Sequence, residues 1–420
     1  MFKQYFKFIV RKLSRNRVYT VINIVGLSIA FSAAWLIYSH TSNEWNMDGY
    51  LKNSDNIYRV ITRYGDEDFW NCRTNTPFGP AAKRAFPEIV QVARYFQKDY
   101  RIKIKDDQDF TIEPKLAFVD PPFFDLFEIP VIQGKIDTTV FSWIVFTETS
   151  AKRYFNKENP IGKTVTIKDG INNRKKNIKC QVVAVIKDFP ANSTIQANII
   201  VDCRQGIPYF DAHRGNYSLY TYFHILPTAD LRAIEKKLPT IASNMPDDVN
   251  HYSHRLQPLK DIYFHSDHLR EDELLRGSQS LTYLLWSITI LILLLAAGNF
   301  LLIRIAQQDR DSSRFAIHKC YGASNKHLFY QLLGEIGLQT GVILLLSCIL
   351  TYGLHPYFIQ ILSPEHIYPF ELFNLSNFVF VGFICLIMGI ICSILYFHFK
   401  HHVSREGVRG MLQPKPQQIN

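Results

Sequence analysis

Four histidines fall in two His-x-x-His pairs, His251 with His254 and His265 with His268. Four imidazoles are a ligand set for zinc or copper. The first pair lies in an extended pattern, where residues i and i+3 face opposite sides of a strand, so surface histidines are the simpler reading. His398, His401 and His402 follow an apolar stretch and read as a juxtamembrane basic cluster. Gly162-Lys163-Thr164 resembles the end of a phosphate-binding loop, but that motif needs Gly where this chain has Lys157. The local pattern is a turn into a strand. Cys72, Cys180 and Cys203 are irregularly spaced, which argues against a disulfide framework and leaves only a Cys180–Cys203 bridge open. No Ser/His/Asp set follows from spacing. The chain has no nucleotide-binding loop of its own, and spacing alone identifies no catalytic set.

The chain's chemistry is shaped instead by four uncharged stretches. No charge occurs between Arg17 and Glu44, from Gly277 to Ile303, from Ile336 to Pro364, or from Leu372 to Phe399. A helix crossing a bilayer needs roughly 20 apolar residues. The expected crossings are residues 18–40, 281–303, 329–353 and 377–398. The first has a basic start, and Ser32-Ala33-Ala34 mimics a cleavage site. That triplet lies inside the apolar run, so the stretch reads as a retained helix. The expected fold class is a membrane protein of four transmembrane α-helices, with a large α+β extracytoplasmic domain inserted between helices 1 and 2.

Net charge is +10, from 47 Lys+Arg against 37 Asp+Glu, and its placement orients the chain. Segment 1–17 holds six basic residues and no acid, 304–328 has an excess of three basic residues, and 399–420 an excess of three. The loop 354–376 holds only Glu365 and Glu371, and segment 41–277 is almost neutral, with 32 basic and 31 acidic residues. Both termini and the 304–328 loop are therefore expected in the cytoplasm. The 41–277 domain and the 354–376 loop are expected outside, in the periplasm, with the chain spanning the inner (cytoplasmic) membrane. The basic excess lies at membrane edges, facing membrane lipids, which disfavours nucleic-acid binding.

The 41–277 segment is long enough for its own core, in two lobes. Strand patterns occur at 56–63, 101–105, 143–146, 163–167, 179–186, 220–226 and 254–259, with a hairpin connection at 169–177. Helical patterns cover 79–86, 149–155 and 229–242, and Thr228 is the expected cap of the last. The irregular interleaving does not favour a doubly wound parallel sheet.

Three features within the membrane part invite functional readings. Gly26, Ala30 and Ala34 recur at four-residue spacing, which serves helix packing within the chain or a dimer seam. Glu335 is an acid within a spanning stretch, a functional candidate unless it reaches the nearby cytoplasmic interface. The 304–328 loop contains Arg314-Phe315-Ala316-Ile317-His318-Lys319-Cys320-Tyr321-Gly322-Ala323-Ser324. Gly322 and Ser324 read as a helix stop and a new N-cap, so the loop is either a plain solvated connection or a short helix facing a cytoplasmic partner.

This loop resembles the "EIGIRKVLGAS" signature of the FtsX/MacB-like permease subunits of ABC transporters, through Ile317, Lys319, Gly322, Ala323 and Ser324. Gln331-Leu332-Leu333-Gly334-Glu335 is similar to the family's "QFLLES" segment. Further resemblances follow in order: Pro122–Phe127 to "FFDIF", Thr147–Phe155 with Asn159–Lys163 to "TESAAKKYFG…DPIGK", Val185–Pro190 to "GVIKDFP", and Pro258–Tyr263 to "PLTDIYL". The resemblance implies a non-catalytic membrane subunit that acts as a dimer with a second permease protomer. It also implies a separate ABC ATPase subunit, where ATP and Mg bind, and a possible periplasmic adaptor. The loop carrying Arg314, Phe315, Ile317, His318, Lys319, Gly322, Ala323 and Ser324 is then the ATPase-coupling segment. Its movement would reach the outside domain by mechanotransmission and serve efflux, lipoprotein handling or envelope remodelling. This sequence departs from the signature at Arg314, Ala316 and His318. Arg314 reverses a charge at the ATPase contact, which keeps open an alternative, an ATPase-uncoupled membrane sensor or scaffold.

Overall fold

The structure is a computed structural model of the 420-residue chain. It describes residues 17–65, 68–104, 109–137, 142–168, 177–205, 219–243, 252–270, 272–306, 325–362, 377–387, 389–391 and 394. Two compact units result, residues 44–279 and the remainder.

In the second of these, α1 (Arg17–Trp45) is 29 residues long and carries no charge between its first residue and Glu44. The later helices are α6 (Gln279–Ala306) and α7 (Asn325–Leu362). All three are long and apolar enough to cross a membrane. The described part of the fourth expected crossing is a shorter apolar helix, α8 (Asn377–Ile391). The third helix was expected to end at Gly353, but α7 continues to Leu362 with Pro356 inside it. A proline removes one backbone bond and need not end a helix whose apolar pattern persists through Tyr357, Phe358 and Ile359.

The inserted unit is built on one twelve-stranded mixed sheet. Its strands are β1 (Ile57–Tyr64), β2 (Trp70–Asn71), β3 (Ile89–Lys103), β4 (Thr111–Val119), β5 (Val131–Gly134), β6 (Trp143–Thr147), β7 (Thr164–Ile167), β8 (Ile178–Ile186), β9 (Ile199–Asp202), β10 (Tyr220–Ile225), β11 (Tyr252–Pro258) and β12 (Leu269–Arg270). Its helices are α2 (Phe78–Ala85), α3 (Phe123–Leu126), α4 (Glu148–Phe155) and α5 (Leu231–Ser243). Most pairings are antiparallel, while β4–β9, β6–β8 and β2–β12 are parallel.

Half of the sheet closes on itself. β3 pairs with β4, β4 with β9, β9 with β6, β6 with β8, β8 with β7, and β7 with β3 at Ile102↔Ile167. Side chains alternate along a strand, so one parity from each of the six strands fills the ring. Phe96, Ile102, Leu116, Phe118, Ile144, Phe146, Val165, Ile167, Val182 and Ile199 form that interior. The opposite parity, with Ala117, Val119, Trp143 and Val145, packs outward against Phe123, Phe124 and Phe127 around α3. In β8 the interior passes from Val182 to Val185, because the register shifts against Ile144 and Val145 of β6. That β-bulge changes which parity faces inward.

β3 is 15 residues long and joins the closed half to an open one. Residues 89–95 of β3 pair with β10, which continues to β1 and β11. One face of this open half is covered by α2 and α5 through Phe78, Ala82, Ile234 and Leu238. The cap of α5 is Asp230, whose Oδ1 accepts from the Arg232 and Ala233 amides, not the expected Thr228. Asp lies immediately before the first helical residue, which is where the free amides of an N-terminus point.

The barrel interior predicts a sharp contrast. Phe146→Ala should destabilise the 44–279 domain by about 3–5 kcal/mol in urea unfolding, whereas Ile132→Ala on the exposed edge strand should cost below about 1 kcal/mol.

Candidate functional site: the anchors of the chain in the inserted domain

The coupling residues Arg314, Phe315, Ile317, His318, Lys319, Gly322, Ala323 and Ser324 lie outside the described residues, as do His251, His398, His401 and His402. Glu335 lies within α7. Of the small-residue series, Ala30 and Ala34 are buried within the chain. Gly26 is exposed, and a Cβ there would lie 3.9 Å from Asn299 Nδ2.

The polar seam of the helices runs through other residues. Ser347 donates to the Ser28 carbonyl at 3.1 Å and to the Ile343 carbonyl at 2.8 Å. Thr351 donates to Ser32 Oγ at 3.1 Å. All four side chains are buried between α1 and α7. Ser28 and Ser32 repeat at the same four-residue period as the glycine–alanine series. Matching them to Ser347 and Thr351 was the available signal for this contact.

His254 is a core residue on β11, with Nδ1 3.1 Å from Thr62 Oγ1 and its ring 4.4 Å from Phe78. Burial pushes it down to about 3, so it is neutral at ordinary pH. His265 and His268 are exposed. Among the described residues, no group of three or more His, Cys, Asp or Glu is placed to hold a metal ion. Cys180 and Cys203 are both buried, and neither is in a disulfide. Gly162, at φ +85°, sits in a turn that leads directly into β7. Glycine adopts that left-handed backbone without the clash of a Cβ.

The polar chemistry of the inserted unit concentrates where the chain arrives and leaves. After Trp45 the arriving chain turns, with Asp48 at φ +54°. Asp48 N donates to the Asn192 carbonyl at 2.7 Å. Its carboxylate accepts from Thr194 N at 3.0 Å and from Thr194 Oγ1 at 2.6 Å, while Asn192 Nδ2 donates to the Asn46 carbonyl at 2.8 Å. Asp48 is buried. Burial pushes its carboxyl up to about 6, against the opposing pull of the Thr194 hydroxyl and amide.

The loop that receives Asp48 is itself tied down at both ends. Asp188 accepts from the Thr149 amide at 3.0 Å and the Thr149 hydroxyl at 2.6 Å, fixing the start of α4. Asn198 donates to Glu113 at 2.8 Å. The fully buried Glu113 also receives Arg153 at 3.1 Å and the Tyr154 hydroxyl. The two motifs 147–155 and 185–190 thus meet at Thr149 and Asp188, and together they hold the strap that grips the arriving chain.

The departing chain has a second anchor. Arg59 on β1 pairs with Asp272 at 2.9 Å, with both side chains fully buried. Arg59 Nη2 also donates to Gln257 Oε1 at 2.7 Å and to Ser266 Oγ at 2.9 Å. Asp272 Oδ1 accepts from Leu274 N at 3.2 Å and lies 3.4 Å from the Tyr220 hydroxyl. That hydroxyl accepts from Glu273 N at 2.8 Å. Further on, Gly277 N donates to the Tyr263 carbonyl at 2.9 Å, and a Cβ at Gly277 would sit 2.1 Å from the Tyr263 ring. Tyr263 donates to Glu44 at 2.9 Å, so arriving and departing chains are joined to each other within this unit. Burial, and then the Glu44 carboxylate, push the Tyr263 phenol up and keep it a donor.

Sequence patterns did not single out Asp48, Arg59, Thr194 or Asp272. A charged residue inside a strand pattern, as Arg59 is in Ile57–Arg63, was the only signal, because Lys and Arg are rarely buried unless paired.

Two measurements test these anchors. Asp272→Ala leaves a buried guanidinium uncompensated and should cost about 3–5 kcal/mol in urea unfolding of the 44–279 domain, most of it regained in the double variant Arg59→Met with Asp272→Leu. Asp48 binds its extra proton in the folded state between about pH 4 and 6, so its contribution to stability grows on acidification through that window. His254 acts oppositely, because the unfolded imidazole binds the proton first. Asp48→Asn should therefore lose about 2 kcal/mol more than wild type between pH 7 and pH 4.

Comparison with known proteins fits this layout. Residues 20–241 match the MacB-like periplasmic core domain, and residues 286–400 match the FtsX-like permease C-terminal segment. Among solved structures, a domain described as part of a permease from Porphyromonas gingivalis is 18% identical, with a TM-score of 0.43 over 53% of this chain and 95% of its own. The periplasmic region of MacB from Actinobacillus actinomycetemcomitans is 15% identical, with a TM-score of 0.35 over 50% and 91%. The extracellular domain of the noncanonic ABC-type transporter YknZ from Gram-positive bacteria is 13% identical, with a TM-score of 0.35 over 47% and 99%. No curated protein matches the chain. The two family matches together cover both the inserted domain and the later helices, and the chain belongs to the FtsX/MacB-like permease family of ABC transporters.

Proposed function

We propose that the chain is the membrane subunit of an ABC transporter in which a separate ATPase moves the inserted domain by mechanotransmission. The observation that carries this reading is the pair of buried anchors. α1 runs unbroken to Trp45, and three residues later Asp48 is locked into the domain. Asp272 is locked to Arg59 seven residues before α6 begins. A displacement arriving along either chain is then resisted by buried, fully partnered polar groups before it reaches the sheet.

On this reading the chain crosses the inner membrane four times, with both termini in the cytoplasm and the inserted domain in the periplasm. The segment Arg314–Ser324 docks on the ATPase, which binds ATP and Mg; this chain supplies no catalytic residue. A second permease protomer completes the helix bundle, and a periplasmic adaptor is a further partner. Ala30 and Ala34 pack inside the chain, Gly26 is left for a neighbouring helix, and Glu335 reaches the cytoplasmic interface. The work delivered outside is efflux, lipoprotein handling or envelope remodelling.

The coupling assignment is tested by co-purification with the partner ATPase from native membrane. Replacing Ile317 and Lys319 together with Asp should abolish recovery of the ATPase while the permease stays in the membrane. Undiminished recovery after deleting residues 310–324 would contradict the assignment.

A further inference from the structure

α7 meets its neighbours along one narrow row. Gln339, Ile343, Ser347 and Thr351 are buried at steps of four residues, while Val342, Leu345, Ile349 and Tyr352 between them are exposed. The next step is the half-buried His355. α1 answers this row with Ser28 and Ser32, one turn apart and both buried. The Ser347–Ser28 and Thr351–Ser32 contacts each join residues 319 apart, so the two helices run parallel and in step. Large rings tie α1 to its other neighbours. Trp35 meets Phe378 of α8 edge-on at 4.9 Å, and Tyr38 stacks on Phe380 at 3.5 Å and meets Trp286 of α6 edge-on at 6.0 Å. Against α7, by contrast, α1 presents hydroxyl groups flanked by apolar contacts at Ile343, with the edge contact of His40 and Phe358 at 6.0 Å.

A row that repeats every four residues fits its partner again after a slide of one turn, about 6 Å. The two directions are unequal. If α7 slides toward its own N-terminus, Thr351 comes opposite Ser28 and His355 comes opposite Ser32, so both serines keep a polar partner. Ser347 then faces Ile24 and keeps its 2.8 Å bond to the Ile343 carbonyl of its own helix. If α7 slides the other way, Ser28 faces Ile343 and Thr351 faces Leu36, and only Ser32 with Ser347 remains a polar pair. Serines let the two backbones stay close while the rungs pass one another. Either slide gives up the edge contact of His40 with Phe358, which makes the observed register the resting one.

We propose that α7 has two seats on α1: the observed register, and a second one turn toward the N-termini in which Thr351 pairs with Ser28 and His355 with Ser32. The seam is then a one-way, two-position slide. Packed helices that shift by one turn between discrete arrangements pass displacement as a step. α1 stays with α6 and α8 through its aromatic contacts, so α7 is the helix that moves. The proposal does not rest on the ATPase reading, since the second register is trapped without an ATPase or nucleotide.

The test is disulfide trapping in the full chain, in membranes of an expression host without a partner ATPase, with linked peptides identified by mass spectrometry. Ser32→Cys with Thr351→Cys marks the resting register and should link fast. Ser28→Cys with Thr351→Cys, and Ser32→Cys with His355→Cys, mark the second register, and both should link more slowly but to completion. Ser32→Cys with Ile343→Cys, and Leu36→Cys with Ser347→Cys, mark the opposite slide. These lie one turn beyond the resting contacts on the other side, where Ser28 Oγ already reaches the Ile343 carbonyl at 3.4 Å. They should link at least about tenfold more slowly than the second-register pairs, a difference of roughly 1.4 kcal/mol. His355→Leu removes the second-register partner of Ser32 and should slow the Ser28–Thr351 link about threefold, the worth of one interhelical hydrogen bond. The proposal is overturned if neither second-register pair links while the resting pair does, if both directions link equally, or if His355→Leu changes nothing. Failure of the resting pair to link overturns it as well.

Discussion

Arg59 and Asp272 are two opposite charges with no solvent contact, and the inserted domain is organised around keeping them paired. Burying a guanidinium and a carboxylate costs several kcal/mol each, and the mutual attraction offsets this only when the remaining donors and acceptors are satisfied. Gln257, Ser266 and Tyr220 supply those partners from β11, from the turn after it and from β10. The pair thereby sets the position of the departing chain relative to three strands at once. A shift of one residue in residues 272–274 would leave a buried charge unpaired. The arriving chain is held by the same logic at smaller scale, with Asp48 accepting two hydrogen bonds from Thr194 in place of an ion pair.

The helices are held by a different balance. Between α1 and α7 the polar contacts are hydroxyl groups, Ser28 and Ser32 against Ser347 and Thr351. Interhelical hydrogen bonds of this kind contribute about 0.6 kcal/mol on average, far less than breaking a buried ion pair costs. Apolar packing of Leu27, Phe31 and Trp35 with Ile343 and Val381 completes the seam. The helix set thus has contacts that exchange cheaply, while the inserted domain has contacts that do not. On the proposed reading, passing displacement from the helices to the domain needs that contrast, because a domain that yielded would absorb the motion.

The sequence was most legible where a single physical rule dominates. Uncharged runs marked α1, α6 and α7, and β-branched alternation marked β1, β6, β8 and β10. The same rule missed strands that are very short or interrupted. β9 is only four residues long and ends in the polar Asp202, and β4 is interrupted by Pro114 and by Lys115 at φ +58°. β3 was read only at its far end, because its 15 residues change partners midway and its polar positions Gln97, Lys98 and Asp99 break the pattern. The anchors were illegible for a further reason. Asp48 meets Thr194 across 146 residues, and Arg59 meets Asp272 across 213. No local spacing encodes such pairs. The family motifs came closer, since Thr149 and Asp188 each lie in a recognisable segment, yet only the fold shows that the segments touch.

The central claim is that both chain ends of the inserted domain are locked into its sheet more firmly than their length of chain alone would allow. Single-molecule force spectroscopy, pulling the domain from residues 44 and 279, measures this directly. The account predicts that the first extension event is cooperative unfolding of the sheet, with no earlier lengthening. Low-force peeling of residues 44–51 or 272–279 while the sheet remains folded would contradict it.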